Sequence, residues 1–107
     1  MEKKDKLYIS IYNDYYGGVL TEYQSNLIKM YYDEDLSLNE IAENLSISPQ
    51  AVKDTLSRAE KTLINLENKL MLVNKVESAK KLLEELKEGA NNENKKKIEE
   101  VINLLDK

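Results

Sequence analysis

The chain has 107 residues, 34% charged and 41% hydrophobic, with a formal net charge of −4, which is material for one soluble domain with one core. One proline (Pro49) and three glycines (Gly17, Gly18, Gly89) are too few turn formers for an all-β sandwich or barrel. With neither cysteine nor histidine, disulfides are excluded, a structural zinc lacks its usual ligands, and the commonest catalytic base and thiol nucleophile are missing.

In chain order, Leu7, Ile11 and Tyr15 recur every fourth residue with Tyr8 and Tyr12 beside them, which predicts a helix over residues 5 to 16 buried along that stripe. Gly17-Gly18 is expected to close it in the left-handed conformation. Thr21 with Gln24 has capping-box spacing, and Leu27, Met30 and Tyr31 form the inner face of a second helix. The acidic run Asp33-Glu34-Asp35 breaks that pattern and reads as a loop.

Ser37 with Glu40 is a second capping box, and Leu36 with Ile41 makes a hydrophobic staple, so a short helix spans about Leu38 to Leu45. Ser46-Ile47 forms a tight turn. Ser48 caps the next helix, Pro49 occupies its first position, and Ile47 with Val52 staples it. Two capped, stapled helix starts eleven residues apart are the outline of a helix-turn-helix at residues 37 to 63. Ser46 stands where such turns often carry glycine.

Val52, Leu56, Ala59, Leu63, Leu66, Leu70 and Val73 continue as a heptad seam with no Gly or Pro between them, predicting one helix of some twenty-five residues. The seam can pack on the chain's own helices or on a second copy, and a homodimer is expected. Val76, Ala79, Leu83 and Leu86 mark a further helix ending at Gly89. Ala90 to Asn94 reads as a polar hinge, and Ile98, Val101, Ile102 and Leu105 mark a short last helix behind Lys95-Lys96-Lys97. The expected fold is therefore all-α: a single domain over 1–107, a small bundle of five or six helices, with the C-terminal helices at 75–107.

The charge is uneven: residues 1–73 hold 8 basic and 12 acidic side chains, whereas residues 74–107 hold 8 of each. An acidic protein exerts no long-range pull on nucleic acid, so any contact must come from a local basic face. Docking of the second motif helix in a groove would present Ser48, Pro49, Gln50, Lys53, Asp54 and Ser57, with Arg58 and Lys61 further along. Gln50 can pair with an adenine edge. Lys53, Arg58 and Lys61 can neutralise phosphates, and Ser48 at the helix start can hold another. The bland reading is a solvated face in which Asp54 and Glu60 offset two of the three cations, or a protein–protein surface.

All seven tyrosines lie within the first 32 residues, where helical spacing suits a half-buried face or interface better than stacking on bases. No phosphate-cradling glycine loop occurs, and the carboxylates fall on predicted exposed faces, so neither catalysis nor a cofactor is expected. Asp33, Glu34 and Asp35 read as a solvated loop rather than a cation site. Met1 to Lys6 is charged with no apolar run behind it, and no stretch is long enough to span a membrane, so a cytoplasmic location without membrane association is expected.

The segment from Asp14 to Leu72 resembles the YlxM family of signal-recognition-particle-associated helix-turn-helix proteins. The resemblance is carried by Leu20-Thr21-Glu22-Tyr23-Gln24, by Tyr31-Tyr32-Asp33, and by Leu36-Ser37-Leu38-Asn39-Glu40-Ile41-Ala42-Glu43. It continues through Ser48, Gln50, Ala51, Val52, Asp54, Arg58 and Glu60 and the leucine-rich extension behind them. It implies a motif similar to sigma-factor region four with an extended recognition helix, and a regulatory role in the signal recognition particle pathway. One departure is Pro49, where the family usually places arginine; a cation at the helix start is replaced by a residue that stiffens it. The resemblance implies a non-catalytic helix-turn-helix regulator whose partners are DNA or RNA and components of the particle. The alternatives are a protein-interaction adaptor, with the particle's GTPase subunit as partner, and a dimeric transcription regulator.

Overall fold

The computed structural model describes residues 6–106. Among them are six α-helices and no strand: α1 Tyr8–Tyr16, α2 Glu22–Ile28, α3 Leu38–Leu45, α4 Pro49–Leu70, α5 Leu72–Glu88 and α6 Asn92–Leu105. The chain divides into two compact units between residues 71 and 72.

In the first unit α1, α2 and α3 each pack on α4. Val52, Leu56, Ala59 and Leu63 line the inner side of α4 and are buried with Ile9, Leu20, Leu27, Ile28, Tyr32, Ile41 and Ala42. The first half of the expected seam is thus consumed by the chain's own core. The seam then ends early. Met71 adopts the left-handed conformation (φ 53°) and closes α4 after 22 residues, so Val73 belongs to α5 and Leu70 is left exposed. Periodicity could not show this, because the step from Leu70 to Val73 fits the heptad whether or not the backbone turns between them.

Helix α1 buries a different stripe from the one its apolar spacing suggests. Ile9, Asn13 and Tyr16 face inward, while Leu7 and Ile11 are exposed. The reason is a polar anchor: Asn13 Nδ2 donates to the Ser25 carbonyl at 3.2 Å, and Ser25 Oγ donates to Asn13 Oδ1 at 3.1 Å. A buried amide satisfied on both sides sets the rotation of the helix. Gly17 serves this anchor too. It is right-handed (φ −56°), contrary to the expected left-handed closure, and opens a short 3₁₀ turn, Gly17–Val19. A Cβ there would lie 2.9 Å from Asn13 Oδ1 and 3.1 Å from Ser25 Oγ, so close approach, not backbone handedness, demands glycine.

Both expected capping boxes form. Thr21 and Gln24 exchange hydrogen bonds of 3.1 Å each way, and Ser37 and Glu40 exchange bonds of 2.9 and 3.1 Å. Helix α2 runs past Ile28 into a wider π-type turn, Lys29–Asp33, before Asp35 reverses the chain at φ 56°. The extra residue in that turn shifts the inner face from Met30 and Tyr31 to Tyr32, which is buried. Asp33 is not a free loop residue, for its carboxylate accepts from Ser10 Oγ.

Helix α3 ends at Ser46, which is left-handed (φ 56°, ψ 43°), a conformation that costs a residue with a Cβ about 1–2 kcal/mol. Ser46→Gly is expected to raise the stability of this unit by about 0.5–1 kcal/mol, since part of the relief is offset by glycine's greater freedom when unfolded. Urea denaturation checks it; a lower midpoint would mean that the serine side chain supports the turn.

The second unit is the pair α5 and α6, which pack on each other. Lys87 Nζ lies 3.1 Å from Glu99 Oε1, and Lys80 Nζ 2.7 Å from Asp106 Oδ1, fixing an antiparallel hairpin. Helix α6 is longer than expected. Asn91 caps it by accepting from the Asn94 amide at 2.8 Å, so the asparagine-rich stretch is a helix start and Lys95-Lys96-Lys97 lies inside the helix.

Candidate nucleic-acid interface

Helices α3 and α4 are joined by the three residues Ser46, Ile47 and Ser48. The turn is held from inside: the Ile47 amide bonds to the Ala42 carbonyl at 3.0 Å, and Ala42 is buried where the two helices meet. Ser48 Oγ accepts from the Ala51 amide at 3.1 Å, with Pro49 at the first helical position. This fixes the direction in which α4 leaves the turn and therefore which of its faces is presented to solvent.

Ser48, Gln50, Lys53, Ser57, Arg58 and Lys61 are all exposed. At about 100° per residue, Gln50, Asp54, Ser57 and Lys61 form one line directly opposite the buried Val52–Leu56–Ala59–Leu63 stripe. Lys53 and Arg58 flank that line on either side, roughly 140° apart around the axis. Continuing the line toward the C-terminus brings Asn65 and Asn68, both exposed. The heptad reading did not single them out, because it followed only the apolar positions.

Gln50 is not a free amide. Its Nε2 donates to Asp54 Oδ1 at 2.9 Å, which holds the side chain in place while leaving its carbonyl oxygen and second N–H for an external partner. Among the described residues, Lys53, Arg58 and Lys61 form no ion pair.

Glu60 is the chief departure from the sequence reading. The solvated-face reading sets it against one of the cations, yet it is buried on the inner side of α4. Tyr32 Oη donates to its Oε2 at 2.8 Å, and Lys6 Nζ bridges its Oε1 at 3.1 Å. Glu67, two turns on, is buried likewise and accepts from Tyr16 Oη at 2.5 Å. Burial, then the bond and charge of Glu60, drive the Tyr32 hydroxyl well above the ordinary tyrosine pKa. Tyr12 is raised as well, first by burial and then by the charge of Glu67. With Glu60 turned inward, α4 from Pro49 to Lys61 exposes three cations against the one carboxylate of Asp54. Helix α3 carries Glu40 and Glu43 on its exposed side, so positive charge in this motif is confined to α4. Sequence could have hinted at the buried pair, since Glu60 and Glu67 are one heptad apart at the edge of the apolar seam.

No group of three or more acidic side chains with metal-site geometry occurs among the described residues. No helix among them is long and apolar enough to cross a membrane.

Comparison with known proteins agrees with this geometry. A family model described as "Putative helix-turn-helix protein, YlxM / p13 like" matches residues 2–104. A UPF0122 protein of Desulforamulus reducens is 50% identical over 98 residues, covering 92% of this chain and 71% of that protein. A UPF0122 protein of Clostridium perfringens strain 13 is 42% identical over 110 residues, covering 94% of this chain and 98% of its own length. One of Clostridium acetobutylicum is 40% identical over 85 residues, covering 79% and 73%. From the capped turn at Ser46–Ser48 to the helix that leaves it, the motif and these matches coincide: the chain belongs to the UPF0122 family of YlxM/p13-like helix-turn-helix proteins.

Proposed function

We propose that this protein is a non-catalytic, sigma-region-four-like helix-turn-helix regulator that binds nucleic acid through the exposed face of α4 and acts in the signal recognition particle pathway. The observation that carries the nucleic-acid reading is the segregation of charge on α4. Glu60 and Glu67 are withdrawn into the core, and Lys53, Arg58 and Lys61 project into solvent unpaired among the described residues. Lys53 and Arg58 flanking a line of Gln50, Asp54, Ser57 and Lys61 suit a phosphate backbone with a base edge between its strands. Solvation alone gives no reason to bury two carboxylates at several kcal/mol of gross desolvation each. The pathway assignment rests on the family resemblance.

A second reading, an adaptor that touches protein only, is favoured by the net charge of −4 and by the exposed Glu40 and Glu43 of α3. Affinity capture of the tagged full chain from its native lysate, with nuclease added to half of the sample, separates the two. Enrichment of the particle's RNA, lost on nuclease treatment, is the expected result. Enrichment of the particle's GTPase that survives nuclease would instead favour the adaptor. Recovery of genomic DNA fragments alone would leave a nucleic-acid binder but remove the pathway assignment.

A further inference from the structure

The hairpin of α5 and α6 has two unlike flanks. One carries the ion pairs Lys87–Glu99 and Lys80–Asp106. Those pairs also set the register: Leu82 lies level with Leu104, and Leu86 with Val101. At about 100° per residue all four project from the flank away from the ion pairs. They are exposed to 65% (Leu82), 63% (Leu86), 41% (Val101) and 68% (Leu104), and so form one apolar square across both helices.

From this face we infer that the protein is a homodimer joined through its C-terminal hairpins, α5 and α6 of one copy stacking on those of its partner as a four-helix bundle. Three observations select a second copy as the occupant. The first is the size of the unit. It has some thirty-five residues, with Val73 and Ile98 its only buried side chains among those described. Units below about 40 residues need disulfides, metal or association to hold together. The chain has no cysteine, and no metal-ligating cluster occurs among the described residues. The second is area. Four exposed aliphatic side chains in one patch supply the apolar centre of one side of a standard interface, which buries about 800 Å² per partner. The third is charge. Residues 74–107 hold 8 basic and 8 acidic side chains, so two hairpins meet without net repulsion, whereas the −4 of the first 73 residues would oppose contact there. On α4, by contrast, the seam from Val52 to Leu63 is already buried in the chain's own core.

Sedimentation equilibrium on the full chain tests this. The wild type is expected at dimer mass at micromolar concentration. Leu82→Glu with Leu104→Glu should weaken self-association at least about 100-fold. Leu7→Glu with Ile11→Glu, at exposed apolar sites on α1, should leave it intact. As a check independent of folding, Leu104→Cys should cross-link under mild oxidation much faster than Ser57→Cys. A wild type that stays monomeric at about 100 μM would overturn the proposal and assign the face to another partner. So would a dimer lost on the α1 substitutions and kept on the hairpin ones, or a Ser57→Cys chain that cross-links as fast as Leu104→Cys.

Discussion

Leu63→Ala is expected to destabilise the first unit by about 3–4 kcal/mol, the upper middle of the range for a leucine truncated in a closed core. Leu63 is fully buried at the centre of α4, on which α1, α2 and α3 all pack, so no single helix can move to fill the space. The loss would be a large share of the total stability of a chain this size. Tyrosine fluorescence offers a selective probe. There is no tryptophan, and all seven tyrosines lie in the first 32 residues, so the signal follows the first unit alone. A loss below about 1 kcal/mol would mean that the helices collapse around the site or do not share one core.

Tyr32→Phe is expected to cost about 1–3 kcal/mol at neutral pH, because it leaves the buried Glu60 carboxylate with Lys6 as its remaining partner among the described residues. Deleting a hydroxyl creates little cavity, so the cost reports the orphaned acceptor. The same contact makes an alkaline prediction. Folding raises the Tyr32 pKa above its ordinary value of about 10. The folded state therefore holds the proton more tightly, the contribution is complete below pH ~10, and it is lost as pH rises beyond that. Wild type should lose stability above pH ~10 more steeply than Tyr32→Phe, which has no proton to give up there. Lys80 and Lys87, held above their ordinary range chiefly by bonds to Asp106 and Glu99, sit in the second unit and do not affect tyrosine fluorescence. Parallel alkaline curves for the two proteins would show that the hydroxyl is not held by Glu60.

The helix-turn-helix was legible in the sequence because its determinants are local. Ser37 with Glu40, Ser48 with Pro49, and the staples Leu36–Ile41 and Ile47–Val52 each act within five residues. The candidate cations were legible for the same reason, as positions that an amphipathic helix turns outward. What escaped were features settled by partners distant in the chain. Asn13 defeats the apolar stripe of α1 because Ser25 satisfies it. Gly17 is glycine because of those same two side chains. Glu60, a charged residue that composition places on the surface, goes inside because Tyr32 and Lys6 meet it there. The stop at Met71 escaped for another reason: methionine carries no turn signal, and an unbroken heptad is compatible with two helices as well as one.

In the proposed function the exposed cations of α4 are phosphate contacts. Salt dependence of binding measures this most directly: the affinity of the full chain for a duplex is followed against salt concentration, beside a chain with Lys53→Ala, Arg58→Ala and Lys61→Ala. Each lost contact lowers the log–log slope by roughly 0.9 on duplex DNA. The predicted result is a slope lower by roughly 2.7 in the triple variant, with weaker binding at low salt and an unchanged tyrosine unfolding curve. An identical slope in the two proteins would contradict the account, for it would place the nucleic acid, or any partner at all, on another surface of the molecule.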